Sequence, residues 1–198
     1  NAAGGSDSTT TTGAGQFPGD NFHKGDSAES TQYQIIINGG TITVDAEGDG
    51  IDSNGNIFFK GGTVTVNGPT NGGNGALDYG DSSDCVCEIS GGTLIAAGAM
   101  GMDVSPTSGS TQPSVNVRLS STQNANTYVV LKDSSGNTVM TACPTKQFQS
   151  VVLSCEALTL GSTYTVYYGS SLNSLTKGDS VTFTSTCMST GSGSFGGS

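Results

Sequence analysis

The chain has no tryptophan, one histidine (His23) and one arginine (Arg118) among 198 residues. Around that single histidine the sequence shows no Ser/His/Asp set, Cys/His pair or zinc cluster, which argues against the commonest hydrolytic machineries. Without tryptophan the chain lacks the broadest aromatic platform for a sugar face. Charged residues make up only 11%, and no stretch places apolar residues at i, i+3, i+4 and i+7, which excludes an ordinary helical protein. No run approaches the ~20 apolar residues of a membrane-spanning helix.

Glycine and small polar residues take their place. Thirty-one glycines, with abundant Ser, Thr and Asn, separate short β-branched runs, which reads as all-β. The net charge is -10, and its distribution is uneven. Twelve acidic residues between Asp20 and Asp103 face only Lys24 and Lys60, whereas the four acids elsewhere are balanced by four bases. That surface repels phosphate backbones, so nucleic acid is not an expected partner, and it favours cations. Five cysteines, together with a start at Asn1 rather than Met, suggest a secreted or cell-surface protein whose signal peptide has been removed.

The acidic part is repetitive. Gly39-Gly40-Thr41, Gly61-Gly62-Thr63 and Gly91-Gly92-Thr93 recur at intervals of 22 and 30 residues. Each is trailed by a related signature: Gly50-Ile51-Asp52, Gly75-Ala76-Leu77-Asp78 and Gly101-Met102-Asp103. Repeats of this length imply stacked supersecondary units. The pattern predicts strands at Gln34–Ile37, Thr41–Val44, Ile57–Phe59, Thr63–Val66, Cys85–Ile89 and Thr93–Ala96, joined by Gly-Gly corners and Gly/Asp/Asn loops. Alternation then points Ile42, Val44, Val64, Val66, Leu94 and Ala96 inward as aliphatic columns. Of Phe58 and Phe59, one faces in and one out. A partial rung around Gly19-Asp20-Asn21-Phe22-His23 would put His23 beneath Asp52, more as a packed side chain than as a ligand.

After Pro106 the rhythm changes to six alternating segments over about seventy residues, a signature of a small antiparallel sandwich or sheet. This sheet either stands apart or caps the open end of the stack. The expected division is therefore a Ser/Thr/Gly-rich arm at 1–19, repeats at 20–106, an antiparallel β domain at 107–188 and a Gly/Ser tail at 189–198. Cys143 and Cys155 fall in what read as adjacent hairpin strands and are expected to pair, with Cys187 reaching back to Cys85 or Cys87. Cys85 and Cys87 share one strand face and are poorly placed to bond each other.

The ordered run Gly48-Asp49-Gly50-Ile51-Asp52-Ser53-Asn54-Gly55, Gly75-Ala76-Leu77-Asp78-Tyr79 and Ser90-Gly91-Gly92-Thr93-Leu94-Ile95-Ala96-Ala97-Gly98 resembles the carbohydrate-binding-domain-containing proteins of clostridia and their relatives. Gln112-Pro113-Ser114-Val115 and the 148–165 region resemble that family's C-terminal part, so about residues 19–170 are covered. The resemblance implies a secreted, polysaccharide-lyase-like fold: a short right-handed parallel β-helix with calcium on its rungs, followed by a small antiparallel β-sandwich or capping sheet.

Stacked rungs would bring Asp52, Asp78 and Asp103 to about 5 Å spacing. Carboxylates that close repel one another unless a cation sits between them. Calcium takes six to eight oxygen ligands, and Asp49, Asp45, Asn67 and Asn74 lie near enough in the repeat to contribute. The competing reading makes these Asx-turn residues that bond their own loops. Tyr79 and Tyr33 are the aromatic platforms available for carbohydrate. Polysaccharide lyases of this fold pair calcium with a basic proton acceptor, and only Lys24 and Lys60 lie on the rungs. The expected function is thus non-catalytic: a calcium-stabilised module that binds carbohydrate, a polysaccharide or cell-surface glycan, or mediates adhesion. The alternatives are a subunit assembling head-to-tail into an extracellular filament and, more remotely, a calcium-dependent polysaccharide lyase.

Overall fold

The computed structural model describes residues 33–191, and within them every regular element is a strand and none a helix. The 1–19 arm, the partial rung with His23 and residues 192–198 of the tail lie outside the described residues.

The glycine doublets set the local path. Their second members, Gly40, Gly62 and Gly92, hold φ at +88°, +88° and +87°, a left-handed conformation that disfavours any residue with a Cβ. Each doublet turns the chain sharply from one short strand into the next. β1 (Gln34–Ile37) turns into β2 (Thr41–Asp45), β4 (Asn56–Phe59) into β5 (Thr63–Asn67), and β7 (Cys87–Ile89) into β8 (Thr93–Gly98). Two of the Gly-x-Asp segments, expected as loops, are short strands, β3 (Ile51–Ser53) and β6 (Leu77–Tyr79).

Equivalent strands pair in parallel and in register, as β1–β4–β7, β2–β5–β8 and β3–β6. That register stacks Ile42 on Val64 on Leu94, and Val44 on Val66 on Ala96. Val64, Val66, Leu94 and Ala96 are buried as expected, while Ile42 and Val44, on the outermost strand, are only partly covered. Phe59 is buried, and its neighbour Phe58 turns outward beneath Lys60, whose Nζ lies 5.6 Å from the ring centroid.

The later strands divide between two sheets. β10 (Tyr128–Lys132), β11 (Thr138–Ala142), β13 (Thr163–Ser171) and β14 (Ser174–Thr182) form an antiparallel sheet in the order β11-β10-β13-β14. β9 (Ser114–Gln123), β12 (Phe148–Ser154) and β15 (Cys187–Thr190) instead join the repeat strands in one six-stranded sheet, β15-β9-β12-β8-β5-β2. The junction is an antiparallel pairing of β12 with β8, so parallel and antiparallel strands share a sheet.

β8 shows why the sequence permits this. Leu94 and Ala96 face a core with Ile57, Phe59 and Ile89, whereas Ile95 and Ala97 face a second core with Val117, Leu153 and Phe183. A strand covered on both faces needs no polar alternation, and Leu94-Ile95-Ala96-Ala97 has none. The shared sheet is a wall between two cores.

Candidate functional site

The β3–β6 register sets Asp52 directly beside Asp78, while Ile51 and Leu77 pair on the buried side. Asp49 is anchored nearby, its Oδ1 accepting a hydrogen bond from Gly75 N at 2.8 Å. Burial, and then the charges of Asp49, Asp52 and Asp81, push the Asp78 carboxyl above the usual aspartate range. The folded protein therefore holds this proton more tightly than the unfolded chain. In cation-free buffer, Asp78's contribution to stability is fully present below the ordinary aspartate pKa. It is lost as pH rises through the raised folded value. Asp78→Asn should flatten this part of a pH–stability curve measured by urea unfolding; an unchanged curve would show that crowding at Asp78 is energetically silent.

The other expected ligands go elsewhere. Asp45 Oδ1 and Glu47 Oε1 each lie 2.6 Å from Lys146 Nζ, which also donates to Ala46 O at 2.8 Å. Asn67 is buried and accepts from Thr145 N at 2.9 Å through Oδ1, so it holds down the segment bearing Lys146. Asn74 Nδ2 donates to Asn71 Oδ1 at 2.7 Å, bonding within its own loop. Asp103 leaves the ladder altogether, which makes the aspartate stack two rungs deep rather than three. The physical reason is that the third turn supplies β7 and β8 but no third member of the β3–β6 sheet, and the only arginine competes for Asp103. Among the described residues no group of three or more His, Cys, Asp or Glu side chains is gathered to hold a metal. A cation beside Asp52 and Asp78 would need backbone carbonyls or water to complete its shell.

Asp103 belongs to a network absent from the sequence reading. Its Oδ2 accepts from Arg118 Nε at 2.6 Å and from Asn116 Nδ2 at 3.0 Å. Ser150 Oγ lies 2.8 Å from Asn116 Oδ1 and 3.2 Å from Asp103 Oδ2, so its single proton is shared between two acceptors. Strand alternation builds this site. Val115, Val117 and Leu119 of β9 enter the second core, which puts Asn116 and Arg118 together on the opposite face. In β12, Ser150 pairs with Arg118 across the ladder. The sequence signal was the alternation Val115-Asn116-Val117-Arg118-Leu119, and its missing partner lay fifteen residues upstream in a loop.

The two aromatic candidates differ in access. Tyr33 is 42% exposed. Tyr79 packs partly against the repeat core, and its hydroxyl pKa is raised first by burial and then by the nearby thiols of Cys87, Cys187 and Cys85. It is not an open platform.

None of the expected disulfides forms. Cys143 follows β11 of the four-stranded sheet and Cys155 follows β12 of the six-stranded sheet, so they are not hairpin neighbours. Cys187 does return to the repeat region, where its Sγ donates to Thr107 O at 3.0 Å while Thr107 N donates to Cys87 O at 2.7 Å. It is not bonded to Cys85 or Cys87. Burial, with smaller contributions from Cys187 and Glu88, pushes the Cys87 thiol up to about 12. At pH 8, brief iodoacetamide treatment of the folded protein should therefore label exposed Cys143 and spare Cys87. Peptide mapping that found Cys87 labelled as fast as Cys143 would contradict this burial.

No helix among the described residues is long and apolar enough to cross a membrane. No protein-family model matches the chain, and neither does any curated protein or solved structure.

Proposed function

We propose that the chain is a secreted, non-catalytic module in which a short right-handed parallel β-helix, stabilised by calcium, presents a surface that binds carbohydrate or mediates adhesion. The observation that carries this reading is the in-register placement of Asp52 beside Asp78, with Asp49 close by. Like charges set side by side in this way favour a bound cation, with backbone carbonyls or water completing its shell. The helical coil is supported by the first two turns, which supply parallel-paired strands to the same three sheets in the same order, β1-β2-β3 and then β4-β5-β6. The resemblance to clostridial carbohydrate-binding-domain-containing proteins points the same way. Tyr33 is the accessible aromatic face. The lyase alternative is disfavoured because Arg118 Nε is held by Asp103 on the far side of the shared sheet's junction.

Binding of the full chain to neutral and acidic polysaccharides in calcium and in chelator tests the proposal. Retention in calcium that weakens several-fold in chelator and on Tyr33→Ala supports it; no retention under either condition contradicts it. Release of unsaturated uronate ends would instead restore the lyase.

The filament reading rests on a separate observation. β1 and β2 are edge strands, and among the described residues nothing pairs with their outer sides; Ile36 on β1 is 42% exposed. An open strand edge is a template for head-to-tail addition. Electron microscopy showing regular fibres from the purified chain would make assembly the primary function, and discrete monomers would remove it.

A further inference from the structure

β2 ends the six-stranded sheet, and among the described residues no strand pairs with its outer side. On its inner side, Gly40 O accepts from Thr63 N at 2.8 Å and Ala46 N donates to Asn67 O at 2.9 Å, both in β5. Ladder alternation then turns the N–H and C=O groups of Thr41, Thr43 and Asp45 toward the free side. Side chains alternate as well. Thr41, Thr43 and Asp45 are exposed, while Ile42 and Val44 pack half-covered against the repeat core.

This edge is unguarded. β14, an edge of the four-stranded sheet, carries Lys177, Asp179 and a bulge, which are devices that deter strand addition. β2 has no lysine, proline or bulge, and its one acid, Asp45, is balanced by Lys146 Nζ at 2.6 Å. Apolar exposure gathers at the same turn. Of the five large hydrophobic residues exposed among the described residues, Tyr33 and Ile36 lie beside and on β1.

Other edges are poor complements. The opposite edge of the same sheet, β15, is only four residues long, and its Cys187 C=O already accepts from Ser185 Oγ at 3.0 Å. At the far end of the repeats β8 pairs with β12, and β7 is bonded by the backbone N–H groups of Thr107, Thr111 and Gln112. The best complement of β2 is a second β2. An antiparallel pair centred on Thr43 sets Thr43 opposite Thr43, Ile42 opposite Val44 and Thr41 opposite Asp45, so that all five residues overlap. Each apolar side chain then meets an apolar one on the same face, and no like charges meet. We propose that β2 is the two-fold interface of a homodimer, in which two copies of the six-stranded sheet join edge to edge. Such a contact is isologous and closes at two copies. The proposal deepens the assembly reading and rests on its open edge, but gives it closed symmetry in place of head-to-tail growth.

The test is sedimentation equilibrium of the full chain in reductant, from low micromolar to millimolar protein, beside Thr43→Pro and Thr43→Lys. Because the Thr43 N–H faces outward, proline removes no bond to β5, and lysine sets like charges together on the two-fold axis. The expected result is a mass rising from 19.8 kDa toward twice that value. Each variant should weaken the association at least about tenfold, with circular dichroism showing the fold retained. Dimers indifferent to both variants would overturn the β2 interface. Growth past the dimer into fibres would overturn the two-fold contact and leave the filament reading standing. Monomers at every concentration would overturn both, and slow hydrogen exchange at the Thr43 amide of such a monomer would show the edge covered within its own chain.

Discussion

Replacing Arg118 with methionine should cost about 3 kcal/mol of folding stability, the low end for breaking a buried ion pair. In a chain of this length that lowers the melting temperature by about 6–12 °C. The reason is what remains behind. Asp103 and Arg118 side chains are only 13% and 19% exposed, and the carboxylate would keep the amide of Asn116, a shared proton from Ser150 and a long bond from Gly101 N at 3.4 Å, none of them charged. An uncompensated charge in that position is expensive, whereas removing both charges is not. The double variant Arg118→Met/Asp103→Leu should therefore recover most of the loss. A double-mutant cycle by urea unfolding measures the coupling directly. If Arg118→Met alone costs less than about 1 kcal/mol, the pair behaves as an exposed surface bridge and does not anchor β9 to the loop after β8.

Gly62→Ala should be the second large effect, at about 3–4 kcal/mol, and Gly40→Ala the instructive control. Both residues hold φ at +88°, so both substitutions incur the left-handed cost of about 1–2 kcal/mol. Only Gly62 is overlaid by another corner. A Cβ there would lie 2.6 Å from Gly40 O and 2.7 Å from Gly39 C, contacts with backbone that cannot swing away, adding about 1–3 kcal/mol of overpacking. At Gly40 a Cβ meets nothing within 4 Å among the described residues. The difference between the two variants isolates the stacking of corner on corner, and equal losses would mean that the corners do not interlock as described.

These two sites also mark where the sequence was readable and where it was not. The repeat strands and their inward columns were legible because a period of two and a recurring Gly-Gly-Thr are local signals. Val64, Val66, Leu94 and Ala96 are buried as that pattern requires. What escaped was pairing between distant segments. The union of β12 with β8 depends on Leu94-Ile95-Ala96-Ala97 being apolar on both faces, which composition permits but does not assign to a partner. The pull of Arg118 on Asp103 had the same character: a repeat-derived ladder put Asp103 under Asp78, but a lone guanidinium across the sheet outweighed the third copy of the motif. The cysteine expectation failed because Thr138–Ala142 and Phe148–Ser154, adjacent in sequence, belong to different sheets. Strand β15 was also unforeseen, since its four residues, Cys187–Thr190, carry no alternation of their own and form an edge by pairing in parallel with β9.

The acidic pair is where the account is most exposed. The measurement is the melting temperature of the full chain and of Asp78→Asn, each with calcium titrated in from a chelated start. The account predicts that calcium raises the melting temperature of the wild-type chain by several degrees, as ligand binding to the folded state must. It also predicts that Asp78→Asn begins higher without calcium, because the crowding is relieved, and gains little from it. Identical calcium responses in the two chains, or none in either, would contradict a cation site at Asp52 and Asp78.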